Sequence, residues 1–166
     1  MAYPCDRYLL RNAVCYYRGI TIEASPKIVY LWLCQMNYAP YSYDWLDNFG
    51  IKSPDYLIKN VHMLEKRQTF MTVFPLLAYA PNKHITFASP SNPILTHLWG
   101  QFLVSYVIYK LSSQKSRLLV KIRWSFPKGV MGKLLRFFAP RLDLIMMRKQ
   151  LLNIKKYSEQ TSISIR

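Results

Sequence analysis

The segment RLLVKIRWSF, from Arg117 to Phe126, alternates between apolar and mostly polar side chains. Successive side chains of a β-strand point to opposite faces of the sheet, so one face of this segment is apolar and the other is basic. The apolar face carries Leu118, Val120, Ile122, Trp124 and Phe126. The pattern predicts a strand with one face in a core and the other towards solvent.

The residues before this strand predict its antiparallel partner. The run from Leu98 to Leu111 is rich in β-branched and aromatic residues, which favour strands. Ser112-Ser113-Gln114-Lys115 supplies a polar connection, so residues 102–126 are predicted to form a β-hairpin. Two shorter segments of similar composition, Thr69 to Phe74 and His84 to Ala88, predict further antiparallel strands.

The N-terminal part of the chain predicts a strand followed by two short helices. Tyr17 to Ala24 alternates as a half-buried strand does. Ser25 can cap the next helix, and Pro26 suits its first turn. A second short helix is predicted to begin after Asp44 and to end at Gly50.

The chain becomes helical in pattern after Pro127. Proline is poor inside a helix but suits its first turn, so the sequence predicts a break at Pro140 and a separate helix over residues 140–158. A sheet with one apolar face needs a cover, which this long helix can provide. The whole chain, residues 1–166, is predicted to be one α+β domain, with residues 1–15 as an N-terminal extension.

This order of elements resembles the helix-grip fold of the START-like, polyketide-cyclase-like (SRPBCC) superfamily. The likeness is carried by ITIEASP at Ile20–Pro26, YSYDWLDN at Tyr41–Asn48 and SRL at Ser116–Leu118, which are similar to motifs of a bacterial subgroup. The resemblance implies a curved antiparallel sheet wrapped around the C-terminal helix, with a cavity between them for a small apolar molecule. It transfers no catalytic residues, because the superfamily includes both carriers and cyclases.

The predicted C-terminal helix supplies four candidate cavity residues. At 100° per residue, Met147 lies on the apolar arc, Met146 lies at its edge, and Asp143 and Gln150 lie on its flank. We expect Asp143 or Gln150 to orient a polar group of the ligand; alternatively, Asp143 only complements the helix dipole. The two methionines are expected to line the pocket, with ordinary core packing as the alternative.

Five aromatic residues are candidates for the cavity wall, because each combines an apolar ring with a polar atom: Tyr43, Trp45, Trp99, Tyr106 and Trp124. Trp124 is the strongest candidate because it shares the apolar face of its strand; packing alone explains the others equally well. His97, placed just before a predicted strand, is a candidate general base, with a structural histidine as the alternative.

The formal net charge of +15 favours acidic partners. Basic residues are concentrated in the C-terminal third, where they could dock the protein on an anionic membrane surface. No recognised nucleic-acid motif is present, which argues against nucleic acid as a partner. The alternative is an unusually basic surface in contact with solvent.

The cysteines and the N-terminus bear on the compartment. Cys5, Cys15 and Cys34 have neither metal-ligand spacing nor the pattern of a disulfide framework. Met1 to Arg11 lacks the apolar core of a signal peptide. We expect a soluble, cytoplasmic protein without a cofactor.

Two functions follow as hypotheses. The first is binding of a small hydrophobic or lipid-like ligand in the cavity between the sheet and the C-terminal helix. The alternative is a cyclase or dehydratase-like enzyme, in which His97, Asp143 or a tyrosine moves protons inside the same cavity.

Overall fold

The computed structural model describes residues 2–43, 45, 50–65, 68–71 and 73–164. Within them, the strands are β1 (Val14–Ile22), β2 (Thr69–Phe70), β3 (Phe74–Ala80), β4 (His84–Ala88), β5 (Gln101–Ser112) and β6 (Lys115–Ser125). The α-helices are α1 (Pro26–Cys34), α2 (Pro93–Trp99) and α3 (Gly129–Ser164), and short 3-10 helices span Pro4–Arg7 and Gln35–Asn37. The predicted second short helix after Asp44 falls largely outside the described residues.

The strands form one antiparallel sheet in the order β1-β6-β5-β4-β3-β2. The core lies between the apolar face of this sheet and the helices α1 and α3. Trp32 of α1 stacks on Tyr157 of α3 with 5.0 Å between ring centroids, and its Nε1 donates to Thr161 at 3.0 Å. The predicted α+β architecture, an antiparallel sheet with a long C-terminal helix, is confirmed.

The predicted hairpin is present as β5 and β6, joined by a two-residue turn at Ser113 and Gln114. Phe102 pairs with Trp124 near one end, and Ser112 pairs with Lys115 at the other. The apolar face of β6 is buried as the alternation predicts. Ser25 caps α1 through a hydrogen bond from the Ile28 amide, also as predicted.

The N-terminal segment covers the opposite face of the sheet. The amide of Cys5 donates to the Ser105 hydroxyl at 2.9 Å. Arg123 donates to the carbonyl oxygens of Cys5 and Tyr8 at 2.7 and 2.8 Å. Lys121 forms an ion pair with Asp6 at 2.7 Å. The basic face of β6 is therefore partly buried under this segment rather than free in solvent.

The expected break at Pro140 is wrong, because α3 runs unbroken from Gly129 to Ser164 with Pro140 inside it. Proline removes the hydrogen bond to the carbonyl four residues earlier, which belongs to the exposed Arg136 and can be hydrated. The guanidinium of Arg141 also donates to the neighbouring Phe137 carbonyl. The predicted end of this helix at residue 158 is also wrong, because α3 continues to Ser164.

Two further differences lie in the middle of the chain. The run predicted as strand from Leu98 begins inside α2, whose N-cap Asn92 accepts hydrogen bonds from the Ile94 and Leu95 amides. Of the segment Thr69 to Phe74, predicted as one strand, the described residues lie in a strand only at Thr69–Phe70 and at Phe74, where β3 begins. Most of β3, which contains Pro75, was not predicted. That proline lies beside the two-residue β2, near the sheet edge, where the loss of one donor is tolerated. No helix among the described residues is long and apolar enough to cross a membrane.

Candidate functional site

Two adjacent pockets lie on the apolar side of the sheet and are called here the inner and outer lobes of the cavity. The inner lobe lies between the sheet and α3, and the outer lobe lies between the sheet and α2. The inner lobe has a volume of about 150 Å³ and the outer lobe about 300 Å³, and the rings of Phe74 and Phe102 line both. Their centroids are 5.5 Å apart, so this ring pair forms the shared wall. The outer lobe is at the lower end of the roughly 300–1,000 Å³ that is usual for small-molecule pockets, and the inner lobe is smaller.

The inner lobe combines aromatic walls with a few polar atoms. Its lining residues come from β3, β4, β5, α3 and the segments before β3: Ser42, Met71, Phe74, Phe87, Phe102, Val104, Tyr106, Asp143, Met146, Met147 and Gln150. The α3 residues face inward because Asp143, Met147 and Gln150 recur at intervals of three or four residues, on one side of the helix. This arrangement places most polar groups at the helix side of the lobe.

Tyr106 and Gln150 meet at the bottom of this lobe. The Tyr106 hydroxyl donates to Oε1 of Gln150 and also contacts the sulfur of Met147 at 3.3 Å. Burial raises the pKa of the Tyr106 phenol above its usual value, and the Asp143 carboxylate adds to that effect. The phenol is therefore protonated at neutral pH. Its oxygen keeps a lone pair that can accept a hydrogen bond from a ligand.

Gln150 also has a structural role. Its Nε2 donates to the Pro40 carbonyl at 2.6 Å, and one helical turn later Asn153 donates to the Tyr41 carbonyl at 2.9 Å. Tyr41 has a positive φ of 57°, so this pair of hydrogen bonds holds a turn that L-residues rarely adopt. Both ends of the Gln150 amide are thus occupied within the protein.

Asp143 is the carboxylic acid that lines the inner lobe. Its Oδ2 lies 3.5 Å from Arg18 of β1, and its side chain is 25% exposed. Burial raises the pKa of Asp143 to about 6, although Arg18 acts in the opposite direction. Nε of Arg18 is buried without a partner among the described residues. Asp143 can therefore accept or release a proton near neutral pH, or accept a hydrogen bond as a carboxylate.

The outer lobe is almost wholly apolar. Its lining residues are Val73, Phe74, Ser89, Pro90, Leu95, Trp99, Gly100, Phe102 and Trp124. The Trp124 indole donates to the Trp99 carbonyl at 2.8 Å, and this hydrogen bond joins the end of β6 to the end of α2. The Trp124 ring also stacks on Phe126. Gly100 has φ of 77°, and a Cβ there would lie 2.1 Å from the Ser125 carbonyl oxygen, so only glycine allows this close approach.

The structure brings seven of the ten candidate residues to the cavity. Tyr106, Asp143, Met146, Met147 and Gln150 line the inner lobe, and Trp99 and Trp124 line the outer lobe. Tyr43 is half-buried and is not among the lining residues, and Trp45 is 73% exposed.

His97 does not line either lobe of the cavity, so the prediction for this residue is wrong. It lies on the exposed side of α2, in a cleft with Met131, because the segment that carries it is a helix and not the start of a strand.

Sequence reasoning missed part of the wall. Phe74, Phe87 and Phe102 lie in strands whose alternation is weak or interrupted by proline, and Leu95 lies in the helix read as strand. Ser42 falls in a loop, where its hydroxyl donates to the Met146 carbonyl at 3.1 Å. The only signal in the sequence was the concentration of aromatic residues. No group of three or more possible metal ligands occurs among the residues that the structure describes.

No protein-family model and no curated protein matches the sequence. Solved structures do match. The aromatase/cyclase ZhuI from Streptomyces sp. R1128 aligns with a TM-score of 0.58 at 12% identity, over 90% of this chain and 95% of that one. TTHA0849 from Thermus thermophilus aligns with a TM-score of 0.56 at 15% identity, over 90% and 99%.

A plant enzyme shares the same architecture. Norcoclaurine synthase from Thalictrum flavum aligns with a TM-score of 0.55 at 9% identity, over 87% of this chain and 85% of that one. At such identities the likeness concerns the fold. It agrees with the strand order, the long closing helix and the cavity between them. The chain therefore has the helix-grip fold that these solved structures share.

Proposed function

We propose that the protein binds a small apolar molecule that carries a hydroxyl group, with its apolar part in the outer lobe and its hydroxyl in the inner lobe. The observation that carries this proposal is the polarity of the cavity. The outer lobe is lined by Leu95, Trp99 and Trp124, whereas the inner lobe presents the Asp143 carboxyl and the Tyr106 hydroxyl. Apolar walls with a few convergent polar groups are typical of small-molecule sites.

The state of the polar atoms favours a hydrogen-bond donor on the ligand. Above pH about 6, Asp143 is mainly a carboxylate, which only accepts hydrogen bonds. The Tyr106 hydroxyl already donates its hydrogen bond to Gln150. A hydroxyl or phenol can donate to either oxygen, whereas a ligand carboxylate would meet the like charge of Asp143.

The test uses two fluorescent compounds of similar shape, naphthalene and 2-naphthol. We expect 2-naphthol to bind about ten- to 100-fold more tightly, since a hydrogen bond to a charged group contributes about 1.5–3 kcal/mol. Leu95→Trp should fill the outer lobe and abolish binding of both. Leu98→Trp is the matched control, because Leu98 lies on the same helix but lines the cleft near His97 instead.

Equal binding by the Leu95→Trp and Leu98→Trp variants would contradict the proposal. Native mass spectrometry of protein from its natural source, followed by denaturing extraction, would identify the physiological ligand. A bound compound with an apolar skeleton and a free hydroxyl is the expected result.

A second function, proton transfer on a bound ligand, is favoured by the position and pKa of Asp143. An acid with a pKa near 6 inside a cavity is suited to general acid–base catalysis. In that case, Asp143 would remove a proton from the carbon next to a ligand carbonyl, and the Tyr106 hydroxyl would donate to the resulting oxygen anion. The hydrogen bond from Tyr106 to Gln150 would have to be exchanged in that step.

Deuterium exchange into 2-tetralone, followed by NMR, tests the enzymatic candidate. If it is right, the protein accelerates exchange at the carbon between the ring and the carbonyl, and Asp143→Asn removes the acceleration while 2-tetralone still binds. If deuterium exchange with the protein is no faster than in buffer alone, while 2-tetralone still binds, ligand binding remains the only proposed function.

A further inference from the structure

The first four turns of α3 have an apolar outer face where a soluble helix normally carries polar residues. The exposed apolar residues are Val130, Met131, Leu134, Phe137, Phe138, Leu142, Leu144 and Ile145. At 100° per residue they fall within an arc of about 160°. The inward residues of the same helix, including Gly132, Ala139 and Met147, lie on the opposite side. Phe137 and Phe138 are each more than half exposed, so packing within the chain does not account for this face.

Helix α2 extends the same face. Ile94 and Leu98 of α2 are exposed, and Leu98 lines a shared cleft with Met131 of α3. We call these two residues and the eight on α3 the α2–α3 face. On an adjacent side of α2, Leu95 and Trp99 line the outer lobe of the cavity while remaining 41% and 50% exposed. The entrance to the cavity is therefore next to the α2–α3 face.

Positive charge surrounds this face. Lys133 and Arg141 are exposed on the same turns of α3, and the exposed Lys128 lines the cleft with Leu98 and Met131. The guanidinium of Arg141 lies 3.9 Å from the centroid of the Phe137 ring, so a cation sits directly among the apolar side chains. Residues 126–142 contain no acidic residue, and the next one, Asp143, points inward to Arg18.

We propose that the α2–α3 face docks on an anionic lipid bilayer. Aromatic and aliphatic side chains on one helical arc, with cations beside them, are the features of helices that lie in the membrane interface. Lipid phosphates would neutralise Lys128, Lys133 and Arg141 while Phe137 and Phe138 enter the acyl region. A second copy of the chain is a poorer occupant, because the same face on another protomer brings further cations and no carboxylate to pair with them.

Docking on this face turns the cavity entrance, at Leu95 and Trp99, towards the lipid. Resting on the proposed function, this identifies the ligand class as molecules that partition into membranes. The docking itself stands on the exposed residues and their charges, so it is tested without any ligand.

The experiment measures flotation of the full chain with vesicles of phosphatidylcholine alone and with phosphatidylglycerol added. We expect binding only to the anionic vesicles, and weaker binding as salt is raised. Phe137→Ser with Phe138→Ser should weaken it by at least about tenfold. Lys128→Gln, Lys133→Gln and Arg141→Gln together should weaken it by about ten- to 100-fold, since each cation near an anionic surface contributes about a factor of five.

Each variant has a matched control away from the α2–α3 face. Leu9→Ser with Leu111→Ser removes two exposed apolar side chains. Lys27→Gln, Lys83→Gln and Lys110→Gln remove the same number of exposed charges, near a separate cleft. Both control variants should bind anionic vesicles within about twofold of the parent protein, apart from a small effect of net charge. Circular dichroism verifies that all variants are folded.

Three results would overturn the proposal. The first is equal loss of binding in the test and control variants. The second is a dimer in solution that becomes a monomer on Phe137→Ser with Phe138→Ser, which would identify the face as a contact between copies. The third is tighter binding to an oligonucleotide than to vesicles, lost in the same variants. The Leu95→Trp variant separates this proposal from the previous one, because it should lose 2-naphthol and keep vesicle binding.

Discussion

The side chains of Tyr106 on β5 and Gln150 on α3, 44 residues apart in the sequence, are joined by a hydrogen bond across the core. Both are buried, and Gln150 continues to the Pro40 carbonyl. This chain of contacts fixes the rotation of α3 over the sheet and anchors the turn at Pro40. It also sets the position of the Tyr106 hydroxyl at the bottom of the inner lobe.

The losses of stability caused by replacing Tyr106 and Gln150 one at a time should add up to more than the loss in the double variant. Tyr106→Phe leaves Oε1 of Gln150 without its donor, and Gln150→Leu leaves both the phenol and the Pro40 carbonyl unpaired. Each should lower the free energy of unfolding by about 1–3 kcal/mol. The double variant should be less destabilised than the sum, with a coupling of about 0.5–3 kcal/mol by urea denaturation. Strict additivity would show that the two side chains do not interact.

The pKa of Asp143 gives stability a specific dependence on pH. It rises from 3.8 in the unfolded chain to about 6 in the folded protein. Between these values the folded state binds more protons than the unfolded state, so the contribution of this group to stability falls as pH rises through that window. Relative to the parent protein, Asp143→Asn should therefore become more stable as pH increases from about 4 to about 6.

The comparison of the two proteins is needed because other acids titrate in the same range. Burial of Asp6 acts to raise its pKa, but the hydrogen bond from Lys121 holds that pKa below its ordinary value, which gives a slope of opposite sign. That slope is present in both proteins and cancels in the difference. A constant difference across the window would mean that Asp143 titrates normally.

Arg123 should be required for the order of the N-terminal segment. Its guanidinium donates to the carbonyl oxygens of Cys5, Tyr8 and Leu10, and the third distance is 3.2 Å. A lysine ammonium is a point donor and does not reproduce this planar fork. Arg123→Lys should therefore speed amide hydrogen exchange in residues 3–10 by about tenfold or more, since a lost hydrogen bond to a charged group is about 1.5–3 kcal/mol.

Arg117→Lys is the control for this prediction. Arg117 lies on the same strand and donates to the Thr21 hydroxyl at 2.7 Å, but it is exposed and does not contact the N-terminal segment. Unchanged exchange in residues 3–10 of the Arg123→Lys variant would show that the segment is held by its apolar contacts with Leu103 and its neighbours alone.

Local patterns predicted the parts of the fold that depend on local physics. The alternation in β6 gave its buried face and placed Trp124 in a cavity wall, and Ser25-Pro26 gave the start of α1. The resemblance to the superfamily supplied the cavity itself. Asp143 and Gln150 could be placed on the inward side of α3 because the period of a helix is fixed.

The rest depended on contacts between distant residues. Nothing near Ser105 in the sequence indicates that it accepts a hydrogen bond from the Cys5 amide, 100 residues away. The composition of residues 93–99 suits a strand, and α2 forms because Asn92 caps it and the Trp99 carbonyl is held by Trp124. Tertiary contacts therefore overrode local preference at the outer lobe.

Pro140 should be a source of instability in α3. A proline in a helix interior is about 3 kcal/mol less favourable than alanine, because it removes a hydrogen bond and crowds the preceding turn. Pro140→Ala would restore the donor to the Arg136 carbonyl, so we expect the free energy of unfolding to rise by about 1–3 kcal/mol in urea denaturation. Pro26→Ala is the control, because Pro26 occupies the first turn of α1, where the missing amide hydrogen has no helical acceptor. That variant should gain no stability. If Pro140→Ala is neutral or destabilising, the proline is needed to seat α3 on the sheet, and the apolar first turns of the helix owe their exposed position to it.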